Sequence, residues 1–264
     1  MNVCQVVFST ARPEYLSRAL ASQRHLIWPE GYNVHKILFD DFPHNRDDNQ
    51  IRSLAQAFGY TEVHLHLRNE SLGATWRECW GLLKERNYDF VFTQEDDVMI
   101  LEPINMLCLV CALKWHDGIS QMRLARQAWY PGEPEPCSKP DDDLAFYDLR
   151  IEKNDSCVYF SPMASLYRGE VLQIDFAGWY RCHYNNEPAL AAANPNEGLL
   201  GKALLEGWGQ TARIVKNVHG GPLVHHMGNY TQGRILLPHE PSAERWLYRN
   251  PERRYCSKTG QPYA

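Results

Sequence analysis

Short runs of apolar and β-branched residues alternate with amphipathic segments along the first hundred residues of the chain. The apolar runs predict strands at 3–8, 35–39, 61–67 and 90–93. The segments with helical periodicity predict helices that end at Ser22 or span 51–58 and 72–86. Strands that alternate with helices form a mostly parallel sheet with helices on its faces. The pattern therefore predicts an α/β fold.

Polar residues follow several of these predicted strands at the point where each strand ends. Thr10 and Arg12 follow the first strand, Asp40 and Asp41 end the second, and an acidic cluster at 95–97 follows the fourth. In sheets of this kind, ligands bind beyond the carboxyl ends of the strands, where the loops converge. We therefore expect the three groups of residues to line one site.

The acidic cluster of Glu95, Asp96 and Asp97 follows an apolar strand almost directly, and apolar residues resume at once after it. Adjacent carboxylates repel one another, and each is costly to remove from water unless a cation meets it. A solvated acidic turn is the alternative interpretation. We expect instead a site at which a cation balances these charges.

The composition excludes several classes of protein. With 264 residues, of which 44% are hydrophobic, the chain suits one large domain or a domain with an extension. Its 27 Lys and Arg against 32 Asp and Glu exclude a basic protein that coats nucleic acid, although local basic patches remain compatible. The longest apolar run, at 104–113, is too short for a membrane helix, and the first residues do not resemble a leader. We therefore expect a soluble cytoplasmic protein without membrane insertion.

The second half of the chain is less regular. The Pro-rich, acidic stretch at 130–144 includes Asp141, Asp142 and Asp143, and it predicts a solvated loop because no apolar strand fixes these carboxylates. A helix opened by an Asn cap is predicted at 196–208, and a strand at 211–218. A glycine-rich turn and the segment LVHHMGNYT follow.

Five segments, taken in order, resemble family 2 type nucleotide-sugar glycosyltransferases of the GT-A fold. They are VVFSTARPEYLSRALAS, ILFDD, NESLGATWRECWGLL, the acidic cluster EDDV and NEGLLGKALLEGW. EDDV falls where that fold keeps its D-x-D motif. The resemblance implies a GT-A (Rossmann-like) domain at 1–230, with a mostly parallel sheet flanked by helices. It leaves a C-terminal basic and aromatic extension at 231–264, packed on or beside that domain.

The resemblance also implies a divalent metal, Mn²⁺ or Mg²⁺, and a nucleotide-diphosphate sugar as donor, with a UDP-sugar favoured. Such hard ions take oxygen ligands and can bridge carboxylate and phosphate. By resemblance Asp97 is the direct metal ligand, whereas Glu95 and Asp96 face the ribose and sugar hydroxyls. Metal-dependent GT-A enzymes often use a late histidine as a further ligand, which favours His226. His225, or a purely structural histidine pair, is the alternative.

Residues at the first two strand ends are predicted to hold the nucleotide. Thr10 and Arg12 can hydrogen-bond the base and phosphates. Asp40 or Asp41 can accept a hydrogen bond from a uracil-type ring N–H. The two aspartates could equally cap a helix or form a turn.

The third and fifth segments supply further candidate residues by resemblance. Gly73 and Arg77 would bind the nucleotide sugar, although Ala-Thr-Trp-Arg replaces the usual small-Ala-Arg-Asn run at this place. An inverting transfer needs a group that takes the proton of the acceptor hydroxyl, and Glu197 is the candidate general base. Helix capping is the other interpretation of Glu197, and Glu187 and Asp175 are the reserve candidates for the base.

The C-terminal extension bears on the acceptor. From 231 to 264 six basic residues stand against three acidic ones, with aromatic residues between them. Basic side chains for phosphates and aromatic ones for bases suit a nucleic-acid surface. The candidate acceptor contacts are Arg245, Trp246, Arg249 and Arg253. One hypothesis is DNA with hydroxymethylated pyrimidines, as in some phage-encoded enzymes of this kind, and the other is a glycan or small hydroxyl compound. The sequence sets no oligomeric state.

Two other classes of protein share parts of this pattern. A sugar nucleotidyltransferase also uses a nucleotide, a metal and acidic residues, but it usually has a glycine-rich loop after the first strand, and 9–14 contains no glycine. A non-catalytic sugar-binding module would tolerate the loss of Glu197 and Asp97, and it would not hydrolyse a sugar nucleotide.

Overall fold

The computed structural model of the chain describes residues 1–41, 46–67, 72–127, 139–144, 146, 148–153, 164–173 and 211–227. The helices of this part are α1 (Pro13–Ser22), α2 (Asp48–Ala57), α3 (Leu72–Arg86) and α4 (Met106–Trp115). The strands of its first half are β1 (Asn2–Ser9), β2 (Leu26–Ile27), β3 (Asn33–Asp40), β4 (Glu62–Leu65), β5 (Phe90–Glu95), β6 (Val98–Ile100), β7 (Ile104–Asn105) and β8 (Ile119–Leu124). The remaining strands are β9 (Lys139–Pro140), β10 (Leu149–Lys153), β11 (Ser165–Arg168), β12 (Thr211–Asn217) and β13 (Val224–His226).

Nine of the described strands form one sheet in the order β4-β3-β1-β5-β11-β8-β12-β10-β9. β1 is parallel to β3 and β5, β3 is parallel to β4, and β12 is parallel to β8. β11 is antiparallel to β5 and β8, and β10 is antiparallel to β12 and β9. Hence β10 and β11 run against the other strands. The predicted mostly parallel sheet is confirmed.

Helices cover both faces of this sheet, and the alternation of side chains along β1 shows how. Val3 and Val7 face one side, where they join clusters formed with α4 and with α1 and α2. Cys4, Val6 and Phe8 face the other side, where α3 packs. Because both faces of β1 are buried, the strand is a nearly continuous apolar run rather than an alternating one.

Local sequence explains where several helices begin. α1 has Pro13 in its first turn, where the missing backbone N–H costs no hydrogen bond. Asp47 caps α2 by accepting hydrogen bonds from the backbone N–H groups of Asn49 and Gln50. Asn105 caps α4 in the same way. None of the helices in the described part is long and apolar enough to cross a membrane.

The predicted elements differ from the observed ones mainly at their ends. The helix predicted at 72–86 is α3, and the strand predicted at 90–93 continues to Glu95. The solvated-loop prediction is wrong for Asp141, which is buried with its Oδ2 2.5 Å from Arg213 Nε, whereas Asp142 and Asp143 are exposed. The helix predicted at 196–208 and the extension at 231–264 lie outside the described residues.

Candidate active site

The acidic cluster forms a tight turn at the carboxyl end of the central strand β5. Glu95 is the last residue of β5, Asp96 and Asp97 form the turn, and β6 begins at Val98. The backbone N–H of Asp96 donates to the carbonyl oxygen of Phe8 at 2.8 Å, so the turn lies beside the end of β1. The acidic turn (residues 95–97) therefore sits at the edge of the sheet where a ligand site was predicted.

A buried side-chain amide fixes the shape of the acidic turn. Gln94, at the start of the turn, donates from Nε2 to the carbonyl oxygen of Val98 at 2.6 Å and of Ala19 at 3.3 Å. Its Oε1 accepts a hydrogen bond from Gln23 Nε2 at 3.0 Å, and Tyr60 donates to Gln23 Oε1 at 2.8 Å. The turn is thus held on α1 and on Gln23, which follows α1, through a buried, hydrogen-bonded network. A glutamine after the apolar residues of β5 was the sequence signal for it.

Arg12 supplies a cation to the acidic turn from within the chain. Its NH2 group bonds Asp96 Oδ1 and lies 3.1 Å from Asp97 Oδ2, and its Nε donates to Asp96 Oδ2 at 3.2 Å. Burial alone would lower the pKa of Arg12, but the two carboxylates outweigh burial and raise that pKa above its ordinary value. From the sequence, Arg12 was predicted to hydrogen-bond the base and phosphates, and its pairing with Asp96 and Asp97 was not predicted.

Asp96 is occupied by hydrogen bonds from the protein. It is 1% exposed, and its Oδ2 accepts from the backbone N–H of Thr10 at 3.0 Å and from Ser9 Oγ at 3.4 Å, besides Arg12. These contacts fasten the β1–α1 loop to the acidic turn. The prediction that Asp96 binds ribose or sugar hydroxyls is therefore not favoured by this geometry, which gives Asp96 the task of holding Thr10 and Arg12.

His226 approaches the acidic turn from far along the sequence. β13 pairs antiparallel with β6, which sets His226 opposite Val98. His226 Nε2 then lies 3.6 Å from Asp97 Oδ1 and 3.8 Å from Glu95 Oε2, and one ligand atom of each residue lies within 4.8 Å of the others. Successive strand residues point to opposite faces, so His225 does not join this group.

The group of Glu95, Asp97 and His226 fits a divalent cation. Asp97 Oδ1 is buried and accepts no hydrogen bond from the part of the chain that the structure describes. Ligand atoms about 2.1 Å from one ion lie roughly 3 to 4 Å apart, close to the distances observed here. Arg12 brings one positive charge to the three carboxyl groups of the turn, and a divalent ion would add two more. Burial would raise the pKa of Asp97, but the neighbouring Arg12 and His226 outweigh burial and lower it.

The two aspartates at the end of β3 have different surroundings. Asp40 is fully buried, with Oδ2 accepting from the backbone N–H of Ala11 at 2.8 Å and Oδ1 accepting from Arg46 at 3.0 Å. Ala11 has a φ of 56°, a left-handed conformation that is uncommon without glycine, and Asp40 helps to hold it. Asp41 hydrogen-bonds Thr75 of α3, and burial beside Asp40 and Asp96 raises its pKa to about 7. Asp40 is thus held by hydrogen bonds from the protein, and the role of Asp40 or Asp41 as an acceptor for the uracil-type ring N–H stays a prediction.

Several predicted site residues are not described in full. Gly73 and Arg77 lie on α3, the helix that also carries Thr75, but their surroundings are not described. Other predicted residues lie outside the described part of the chain: Asp175, Glu187, Glu197, Arg245, Trp246, Arg249 and Arg253.

Comparisons of sequence identify no relative of the chain: no protein-family model matches it, and no curated protein matches it. Comparison of folds finds solved structures with a similar fold. Residues 1–349 of TarS from S. aureus superpose with a TM-score of 0.53 at 14% identity, over 86% of this chain and 61% of that chain. The same TarS fragment was solved with UDP and with UDP-GlcNAc.

A second similar structure is GalNAc-T7 with UDP, GalNAc and Mn²⁺. It superposes with a TM-score of 0.58 at 12% identity, over 99% of this chain and 52% of that chain. The chain therefore spans less than two thirds of the length of either protein. At these identities the similarity establishes the fold, which is that of GT-A glycosyltransferases. The fold expected from the five sequence segments is confirmed.

Proposed function

We propose that the protein is a metal-dependent glycosyltransferase that moves a sugar from a nucleotide-diphosphate sugar to a hydroxyl acceptor. The observation that carries the proposal is the group of Glu95, Asp97 and His226 at the carboxyl end of β5. Two carboxylates and an imidazole converge there at an edge of the sheet where such folds bind ligands. A structural ion pair would not need His226 to reach the turn from β13.

The described residues divide the work of donor binding. Asp97 Oδ1 and His226 Nε2 would hold Mn²⁺ or Mg²⁺, with Glu95 beside them. The bound ion would neutralise the diphosphate that leaves as the glycosidic bond breaks. Arg12 holds the second oxygen of Asp97, which leaves the first oxygen directed toward His226.

UDP is the favoured nucleotide. TarS and GalNAc-T7, which share the fold, were both solved with UDP, and GalNAc-T7 also with Mn²⁺. Asp41, when ionised, can accept a hydrogen bond from the ring N–H of uracil. Thr10 lies in the same loop as Arg12, and both residues are proposed to bind the nucleotide sugar. Gly73 and Arg77 lie on α3, the helix that contacts Asp41, and they are proposed to bind it as well.

For the acceptor half of the reaction the proposal rests on sequence. An inverting transfer, with Glu197 as the general base, follows from the resemblance to family 2 enzymes. A glycan or small hydroxyl compound is one acceptor class. Hydroxymethylated pyrimidine in DNA is the other, supported by the basic and aromatic residues at 231–264, among them Arg245, Trp246, Arg249 and Arg253.

The proposal is tested with a panel of nucleotide sugars in the presence and absence of Mn²⁺. We expect slow, Mn²⁺-dependent hydrolysis of a UDP-sugar, followed by transfer from the best donor to a set of hydroxyl acceptors that includes hydroxymethylcytosine-containing DNA. Release of diphosphate from a nucleoside triphosphate and a sugar phosphate would indicate a nucleotidyltransferase instead. Donor binding without any hydrolysis or transfer would indicate a non-catalytic sugar-binding module.

A further inference from the structure

The strand β13, which brings His226 to the acidic turn, uses only one of its edges to pair with β6. The backbone N–H of Met227 donates to the carbonyl oxygen of Asp97 at 2.5 Å, and these two residues form the next facing pair after His226 and Val98. In an antiparallel ladder, facing pairs that exchange hydrogen bonds alternate with pairs that do not, so His226 and Val98 form a pair that exchanges none. The N–H and C=O of His226 itself therefore point away from β6.

On that outer edge the side chain of Gln127 takes both groups. Gln127 Oε1 accepts from the backbone N–H of His226 at 2.9 Å, and Gln127 Nε2 donates to the carbonyl oxygen of His226 at 3.1 Å. Two residues earlier a backbone carbonyl takes this place, because the N–H of Val224 donates to the carbonyl oxygen of Ala125 at 3.0 Å. The carboxamide of Gln127 thus continues to His226 the contacts that the backbone after Leu124, the last residue of β8, makes with Val224.

The two ends of β13 are held by different means. Leu223 and Val224, at its beginning, are fully buried in the core beside α4. Its last residue, His226, is held on the β6 side by the neighbouring Met227 and on the other side by the two hydrogen bonds of Gln127. Gln127 therefore hydrogen-bonds the main chain of His226, the residue whose imidazole faces Asp97.

We propose that Gln127 is a positioning residue for the metal centre, which it serves by fixing the main chain of His226 so that Nε2 faces Asp97 and Glu95. The inference rests on the proposed metal-dependent function. Metal binding tolerates only a few tenths of an ångström of error in ligand placement, so the residues that orient a ligand affect affinity almost as the ligands do. Gln127 had no sequence signal, since a lone glutamine after a strand resembles any loop residue.

The test uses Gln127→Met, which keeps the length of the side chain and removes both hydrogen bonds. Mn²⁺ affinity is measured by the electron paramagnetic resonance signal of free Mn²⁺, without nucleotide sugar. We expect the Kd for Mn²⁺ to rise about tenfold or more. Turnover at saturating Mn²⁺ should recover, so the apparent KM for the metal changes more than kcat. Gln127→Glu, which retains an acceptor for the His226 N–H but faces its carbonyl with an oxygen, should not restore the affinity.

Two comparisons separate positioning from general stability. Ile119→Val, at the buried start of β8, should lower Tm without changing the Kd for Mn²⁺. In a His226→Ala background, Gln127→Met should have no further effect on that Kd, because the ligand that it positions is gone. An unchanged Kd in Gln127→Met, while Asp97→Asn and His226→Ala bind Mn²⁺ more weakly, would overturn the inference alone. Unchanged binding in Asp97→Asn and His226→Ala would instead overturn the metal centre itself.

Discussion

At the scale of single residues, Arg12 supplies part of the positive charge that the three carboxylates at 95–97 require. The positive charge beside these carboxylates comes from two sources, the guanidinium of Arg12 and the proposed metal ion. Arg12 satisfies Asp96 and one oxygen of Asp97, and the other oxygen of Asp97 is left facing His226. A sequence shows that charges must be balanced, but it does not show which of two nearby cations balances each of them.

Asp97→Asn tests the metal ligand with little cost to the fold, because Arg12 retains its pair with Asp96. The substitution removes the charge of the oxygen that faces His226. We expect metal-dependent hydrolysis of the donor to fall by about 10²-fold or more. The measurement is initial rate against Mn²⁺ concentration, with Asp142→Asn on the exposed loop as the matched control. Full activity in Asp97→Asn would rule out Asp97 as a ligand.

Asp41 gives a prediction for pH. Burial beside Asp40 and Asp96 raises the pKa of Asp41 from 3.8 to about 7, so its contribution to stability is full below about pH 4 and is lost as the pH rises to about 7. In Asp41→Asn that loss is absent. The variant should gain stability relative to the wild type across this window, by up to roughly 4 kcal/mol. Urea unfolding at pH 4.5 and pH 8 measures the gain, and the exposed Asp143→Asn should show none.

At the scale of elements, the sequence predicted what depends on local periodicity. The helix at 72–86 and the central strand were predictable because their apolar residues recur with a period that one chain segment fixes by itself. β6 and β13 were not predicted as a pair, since each has three residues and they meet only after the chain has folded. The proposal of His226 rather than His225 as the metal ligand is supported by that pairing, through the alternation of side chains along β13.

The β1–α1 loop and the acidic turn act as one unit through Arg12. Arg12→Gln leaves the buried carboxylates of Asp96 and Asp97 without their internal cation, which we expect to cost about 3–5 kcal/mol of unfolding free energy. The cost should shrink as the pH falls and the carboxylates become protonated. Thermal unfolding measures it, with the exposed Arg18→Gln on α1 as the control.

Mn²⁺ gives a second readout for the same variant. Because the ion supplies the positive charge that Arg12→Gln removes, Mn²⁺ should raise the Tm of the variant more than that of the wild type. Equal shifts in the two proteins would contradict a shared role of Arg12 and the metal in balancing the acidic turn.

At the scale of the whole molecule, the donor and acceptor halves of the proposed reaction rest on different kinds of support. The donor half rests on described geometry around β5 and on the GT-A fold. The acceptor half rests on sequence, through Glu197 and the basic residues at 231–264. The overall charge of −5 conceals that local basic surplus, so composition alone could not have indicated it.

Glu197→Gln tests the acceptor half. If Glu197 is the general base, the substitution removes proton transfer but no contact to the nucleotide. We expect donor affinity, measured by calorimetry with UDP and Mn²⁺, to stay within about twofold, while transfer to the acceptor is lost by about 10²-fold or more. A collapse of donor affinity would make Glu197 a donor ligand instead.

The metal centre is tested most directly by crystals grown with Mn²⁺ and UDP and measured at the manganese absorption edge. The account predicts one strong anomalous peak beyond the end of β5, about 2.0 to 2.3 Å from Asp97 Oδ1 and His226 Nε2. No peak there with UDP bound, or a peak that contacts neither residue, would contradict the account.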